Sequence, residues 1–237
     1  MIELYTVPAG IPDEIEHDRP VVVLDIFRAS TSIAAALNAG ASRIYFAGSI
    51  AEAEAIKAER GGDVIMAGER KGYRIEGYDL GNSPREMTPD ILSGRDVIFN
   101  STNGTKLLRR FENSQHVIVG SFVCLDAVVT YVHAFAQDPI VCCAGTVGKF
   151  SGEDTLAAGM IISHLHRMGR KGDDASDFAR RLVENHPGQW REWAIQSKHG
   201  CYLASIGLAE DLEYCTELNR FSFMAIKEGE AIVRREM

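Results

Sequence analysis

The chain has 237 residues and 26.0 kDa, and its 25 Lys and Arg stand against 33 Asp and Glu, a formal net charge of −8. Holding a polyanion by counterion release takes a basic stripe, which scattered cations among more numerous carboxylates do not make, so nucleic acid is excluded and one small anionic substrate in a local pocket is not. With 46% apolar and 24% charged residues the composition is that of an ordinary globular protein. No apolar run approaches the ~20 residues that cross a bilayer, so no membrane partner is expected. Five cysteines without C-x-x-C spacing read as reduced thiols and a cytoplasmic location.

Met1 to Val7 carries Glu3 and no basic flank, and reads as a first strand and not a signal peptide. From Val21 to about Met168, short β-branched runs alternate with stretches of helical spacing, the mark of βα units on a largely parallel sheet. The predicted strands are Val21 to Asp25, Ile44 to Ala47, Val64 to Ala67, Val97 to Asn100, Val117 to Gly120 and Ile140 to Ala144. Most are apolar throughout, as strands covered on both faces are. Ser49 with Glu52 predicts a capping box and Gly61 a helix stop. Ser83-Pro84 and Thr88-Pro89 place a cap before proline at the first helical position. Ser151 with Asp154 opens a long apolar helix to about Met168. After Arg170, helices are predicted at Asp173 to Glu184, Gln189 to Ser197 and Cys201 to Ile206, then a hairpin around Glu228-Gly229. With no linker or repeat, residues 1–237 read as one α/β domain, a C-terminal helical subdomain from about 171 being left open.

In an open parallel sheet, ligands bind beyond the carboxyl ends of the strands. The chemically distinctive residues fall there: Asp25, Arg28, Ser30 and Thr31 after the first core strand, Glu69 and Arg70 after the third, Thr102-Asn103-Gly104-Thr105 after the fourth, Ser121 after the fifth, and Gly145, Gly148 and Lys149 after the sixth. Arg28 offers a planar fork for two anion oxygens, or else a partner for Asp25. Gly104 permits a close backbone approach to an anion, with threonine hydroxyls beside it. Glu153 and Asp154 are adjacent and point about 100° apart on a helix, so one suits a metal and the other the helix start. Mg²⁺ takes one or two protein carboxylates with substrate oxygens and water, which Asp25, Glu69 and Glu153 or Asp154 supply. His199, in a polar loop-like stretch, is expected at the surface or as a cap. Trp190 and Trp193 are expected to pack.

Together these motifs resemble one family. Asp25-Ile26-Phe27-Arg28-Ala29-Ser30-Thr31, Gly68-Glu69-Arg70, Gly77-Tyr78-Asp79-Leu80-Gly81-Asn82-Ser83-Pro84, Thr102-Asn103-Gly104-Thr105, Ser151-Gly152-Glu153-Asp154 and Ser197-Lys198-His199-Gly200 are similar to the 2-phosphosulfolactate phosphatases. The similarity runs from about residue 20 to 215, and the second glycine-led motif is the most specific. It implies a three-layer α/β/α fold and a Mg²⁺-dependent phosphatase that converts 2-phospho-3-sulfolactate to 3-sulfolactate and phosphate, a step toward coenzyme M. Cys124 stands where the family pattern implies Asn, which bears on substrate if that amide touches it in relatives.

Such a substrate brings about four negative charges to an acidic protein, so Mg²⁺, arginines and helix amino termini must outweigh the global field locally. Asp25 is expected as metal ligand or nucleophile. Arg28, Asn103, Gly104 and Thr105 are expected on the phosphate, and Arg70 with Lys149 on the sulfonate or carboxylate. Glu69 and Glu153 or Asp154 complete the metal shell or orient water. Ser30, Thr31, Asn82, Thr102, Ser121, Gly145 and Gly148 are further substrate contacts. Two alternatives stay open: a phosphatase of another small phosphorylated acid, and a non-catalytic anion-binding protein. A homo-oligomer is also left open.

Overall fold

A computed structural model describes residues 1–16 and 18–236. The strands are β1 (Glu3–Tyr5), β2 (Val21–Leu24), β3 (Arg43–Phe46), β4 (Ile65–Arg70), β5 (Tyr73–Arg74), β6 (Asp96–Asn100), β7 (Val117–Gly120), β8 (Ile140–Cys143), β9 (Met224–Glu228) and β10 (Ala231–Arg235). The helices are α1 (Ala29–Asn38), α2 (Ile50–Arg60), α3 (Pro89–Leu92), α4 (Gly104–Arg110), α5 (Leu125–His133), α6 (Gly152–Arg167), α7 (Asp174–Asn185), α8 (Trp190–Ile195), α9 (Lys198–Ser205) and α10 (Ala209–Cys215). The six strands expected from β-branched runs form within a few residues of their predicted bounds, and the fold is α/β with a mostly parallel sheet.

The sheet order is β1-β8-β2-β7-β9-β10-β3-β6-β4-β5. Strands β1, β8, β2 and β7 are mutually parallel, as are β3, β6 and β4. Between the two groups sits the β9–β10 hairpin, which pairs antiparallel with β7 on one side and β3 on the other. Three successive antiparallel pairings reverse the direction, so the two parallel groups run opposite ways. The ends of β2 and β8 in one group and of β4 and β6 in the other nonetheless meet at one cavity. Glu228-Gly229 makes the predicted hairpin turn, with Gly229 at φ +61°, but its strands complete the centre of the sheet and do not lie against it.

β2, β7 and β8 are buried at every position, because side chains on both faces meet apolar partners. On β3, β4 and β6 alternate residues serve two clusters: Ile44, Ile65, Val97 and Phe99 join the main core, while Tyr45, Met66 and Ile98 join a smaller one with Ala53 of α2. Strand periodicity requires such a division.

Local chemistry sets the helix ends. Ser49 accepts from Glu52 N at 3.1 Å, and Glu52 reaches back to Gly48 N at 2.8 Å, so the reciprocal bond closes one residue earlier than in the standard box. Ser151 accepts from Asp154 N at 3.2 Å and caps α6. Trp190 and Trp193 pack against the core. Among the described residues no helix is long and apolar enough to cross a membrane.

Candidate active site

A cavity of about 660 Å³ collects the segments that follow β2, β4, β6 and β8 with the start of α9. Its carboxylates are Asp25, Glu69 and Glu153, and its cations are Arg28, Arg70, Lys71, Lys149 and Lys198. Asn82, Ser101, Thr102 and Asn103 supply neutral polar groups, and Phe27, Val147, Phe150, Tyr202 and Leu203 supply apolar walls. Val147 and Phe150 are 75% and 60% exposed, so the mouth is apolar while the carboxylates lie buried beneath it.

Asp25 ends the buried run of β2, and its backbone N–H donates to Ser30 Oγ at 2.9 Å. Burial first, then the neighbouring Glu69 and Glu153 carboxylates, push its carboxyl up to about 6, against the pull of His199 and of the Gly104 backbone N–H. Gly104 is packed against this acid: a Cβ there would lie 2.6 Å from Asp25 Oδ2 and 3.1 Å from Ala29 Cβ. Gly104→Ala therefore displaces the carboxylate. Expected are a destabilisation of about 1–3 kcal/mol by overpacking and a fall in turnover larger than that of a surface alanine control, read by thermal melt and phosphate release.

Glu69 ties two loops together, its Oε1 accepting from Thr102 N and its Oε2 from Gly72 N, each at 2.8 Å. Arg28 departs from expectation. Its guanidinium is almost fully buried and paired with Asp211 of α10, while Nη2 donates to the Gly72 carbonyl at 2.8 Å. Asp211 also accepts from Ser83 Oγ at 2.7 Å. The fork foreseen for phosphate is thus occupied by protein oxygens, and Asp25 is not its partner. Arg28 links three motifs that are distant in sequence.

Glu153 faces the cavity, and Asp154, one residue on, does not. Asp154 Oδ1 accepts from Ile26 N at 2.8 Å and Oδ2 from Gly145 N at 3.1 Å. It therefore pins the ends of β2 and β8 together, and as a metal ligand it is misplaced. Burial, with Glu153 and Asp25 nearby, holds its pKa well above the ordinary value. His199 corrects the expectation of a surface or capping residue: its Nδ1 lies 3.3 Å from Glu153 Oε1 with its side chain 18% exposed. Burial raises Glu153, but the His199 hydrogen bond and the backbone at the helix start outweigh it, leaving the acid below its usual value.

Of the remaining expected contacts, Arg70, Asn82, Thr102, Asn103 and Lys149 line the cavity. Ser30, Thr31, Gly104, Thr105, Ser121, Gly145 and Gly148 are not among its lining residues. Thr31 Oγ1 donates to the Ile26 carbonyl, and Thr105 exchanges bonds with Ser101. These hydroxyls satisfy the loop backbone itself. Ser121 Oγ lies 3.4 Å from Cys124 Sγ, both buried away from the cavity walls, so Cys124 does not reach the site. Lys71, Tyr202 and Asp211 were not foreseen, and Lys198 only as a member of the Ser197-Lys198-His199-Gly200 motif; of the three, only Lys71 adjoins a motif.

Two buried oxygens in the cavity wall, Asn82 Oδ1 and Thr102 Oγ1, have no hydrogen-bond partner. Hard oxygens beside mutually repelling carboxylates suit a divalent cation. Among the described residues no three acidic, His or Cys groups cage a metal by themselves; Mg²⁺ characteristically uses fewer and keeps water and substrate oxygens.

Curated relatives share most of this chain's length. It is 37% identical over 228 residues, 94% of each chain, to a probable 2-phosphosulfolactate phosphatase of Carboxydothermus hydrogenoformans. It is 32% identical over 231 residues, 96% of each chain, to one of Caldanaerobacter subterraneus, and 37% identical over 206 residues, 86% of each, to one of Thermotoga petrophila. A family model described as 2-phosphosulpholactate phosphatase matches residues 5–230, a span that takes in every cavity segment above, and the chain belongs to that family.

Proposed function

We propose that the protein hydrolyses 2-phospho-3-sulfolactate to 3-sulfolactate and phosphate with Mg²⁺, on the route to coenzyme M, as a cytoplasmic enzyme of three-layer α/β/α build with α7 to α10 as its C-terminal helical portion. Its class is phosphoric monoester hydrolase, as family membership indicates. The observation that carries the reading is the juxtaposition in one cavity of buried carboxylates, Asp25, Glu69 and Glu153, with Arg70, Lys71, Lys149 and Lys198. Acid alone would repel a phosphomonoester; acid bridged by a cation, with further cations beside it, receives one.

Asp25 and Glu69 would hold Mg²⁺, with Asn82 Oδ1 and Thr102 Oγ1 as neutral oxygens in reach of the same cavity. When bound, the ion neutralises phosphoryl charge as it develops. Phosphoryl transfer otherwise asks for positioning and charge stabilisation. Arg70, Lys71, Lys149 and Lys198 attract and orient the carboxylate and sulfonate. His199, held through Nδ1 by Glu153, keeps its other ring nitrogen for proton transfer to the departing alkoxide. Glu153 thereby acts as the orienting partner of His199.

The size of the cavity favours a second reading. About 660 Å³ falls in the range that holds drug-sized ligands, ~300–1,000 Å³, more than a three-carbon acid fills. A larger phosphorylated acid would rest on Val147 and Phe150. The test is kcat/KM for 2-phospho-3-sulfolactate against 2-phospholactate and a bulkier apolar 2-phospho acid. Preference for the sulfonate supports the first reading, and preference for either of the others replaces it.

A further inference from the structure

At the end of β6 the side chain of Asn100 is completely buried. Its Oδ1 accepts from Arg70 Nη2 at 2.6 Å, and Arg70 Nη1 donates to the Glu69 carbonyl at 2.7 Å. A guanidinium has only donors, so the amide must present oxygen to Arg70 and turn Nδ2 away. That nitrogen has no acceptor, and the buried Tyr78 Oη has no partner either. Gly68, paired with Asn100 across β4 and β6, lets the two strands approach closely here: a Cβ would lie 2.2 Å from the Asn100 carbonyl oxygen.

The amide is notable for what it is not. An aspartate here would grip Arg70 more strongly by adding an opposite charge to the hydrogen bond, but it would cancel the charge. A neutral acceptor fixes the guanidinium and leaves its charge available. We propose that Asn100 is a positioning residue that holds Arg70 toward the cavity without neutralising it, so that Arg70 meets the second anionic group of the substrate. This rests on the role given to Arg70 in the reaction proposed above.

The test compares full-length wild type, Asn100→Asp and Asn100→Ala, with Mg²⁺, on 2-phospho-3-sulfolactate and on glycerol 2-phosphate, which has no second acid. Asn100→Asp is expected to raise KM for the sulfonate substrate about tenfold, the equivalent of one charge-assisted hydrogen bond, with kcat within about twofold and glycerol 2-phosphate unaffected. Asn100→Ala, which takes away the acceptor and leaves the guanidinium charged but unheld, moves KM the same way by less. Unchanged kinetics, or equal losses on both substrates, overturn the proposal. Should Asn100→Asp not fold, Asn100→Ala alone decides, a selective KM rise sustaining the proposal and any other result overturning it. If wild type releases no phosphate, the phosphatase reading fails separately. Sulfate affinity by calorimetry then judges Asn100: weaker binding by Asn100→Asp sustains its role, and equal or absent binding in both proteins overturns it.

Discussion

Asp25→Asn is expected to abolish phosphate release, by at least ~10³-fold, while leaving the metal-free protein more stable at neutral pH than wild type. Asp25 is a buried carboxyl raised to about 6, mainly by burial and then by Glu69 and Glu153. A carboxyl raised in the folded state contributes stability that is fully present below its unfolded value, about 3.9, and is lost as pH rises through about 6. The amide carries no such penalty. In a chelator, the melting temperature of Asp25→Asn should therefore match wild type near pH 4 and exceed it near pH 7.5. Adding Mg²⁺ should stabilise wild type more than the variant, by the linkage of a ligand that binds only the folded state. A variant that is destabilised at all pH values and active when folded would remove Asp25 from the chemistry.

Asp211→Ala is expected to cost about 3–5 kcal/mol, because it leaves the Arg28 guanidinium charged, buried and unpaired. For a chain of this size that is roughly 10 °C in melting temperature. The loss reaches the cavity through a short path: Asp211 holds Arg28, Arg28 holds the Gly72 carbonyl, and Gly72 N–H holds Glu69. Activity measured well below the melting transition should fall as well. Removing both charges with apolar residues of similar volume, Arg28→Met with Asp211→Leu, is expected to recover part of the stability, since a buried ion pair is costly to break and inexpensive to replace. Activity should stay low, because the Gly72 turn has lost its donor. A single variant as stable as wild type would contradict the buried-pair account.

Strand positions were legible because β2, β7 and β8 are apolar at every residue and announce burial on both faces. Their assembly was not. The hairpin at Met224 to Arg235 looks in sequence like any terminal hairpin, and nothing local shows that it divides the sheet into two opposed parallel groups. The same distinction holds at the site. Asp25 stands out as an acid ending an apolar run, Glu69, Arg70 and Asn103 as polar groups that follow strands, and Glu153 as an acid opening a helix, and they line the cavity. Arg28 stands out for the same reason, yet its partner is Asp211, 183 residues away, in a helix without distinctive motif chemistry. Ser30, Thr31 and Thr105 have the composition of an anion site, but their hydroxyls bond the backbone of their own loops. His199 was discounted because its surroundings in sequence are polar; the fold supplies Glu153 from α6 and brings both to the cavity.

The central claim is that buried carboxylates become an anion site only when a divalent cation joins them. It is tested most directly by phosphate release from 2-phospho-3-sulfolactate by the purified protein, first in EDTA and then with excess Mg²⁺. Release that is absent in chelator and restored by the metal is the predicted result. Release undiminished by EDTA, or none with Mg²⁺ present, would contradict the account.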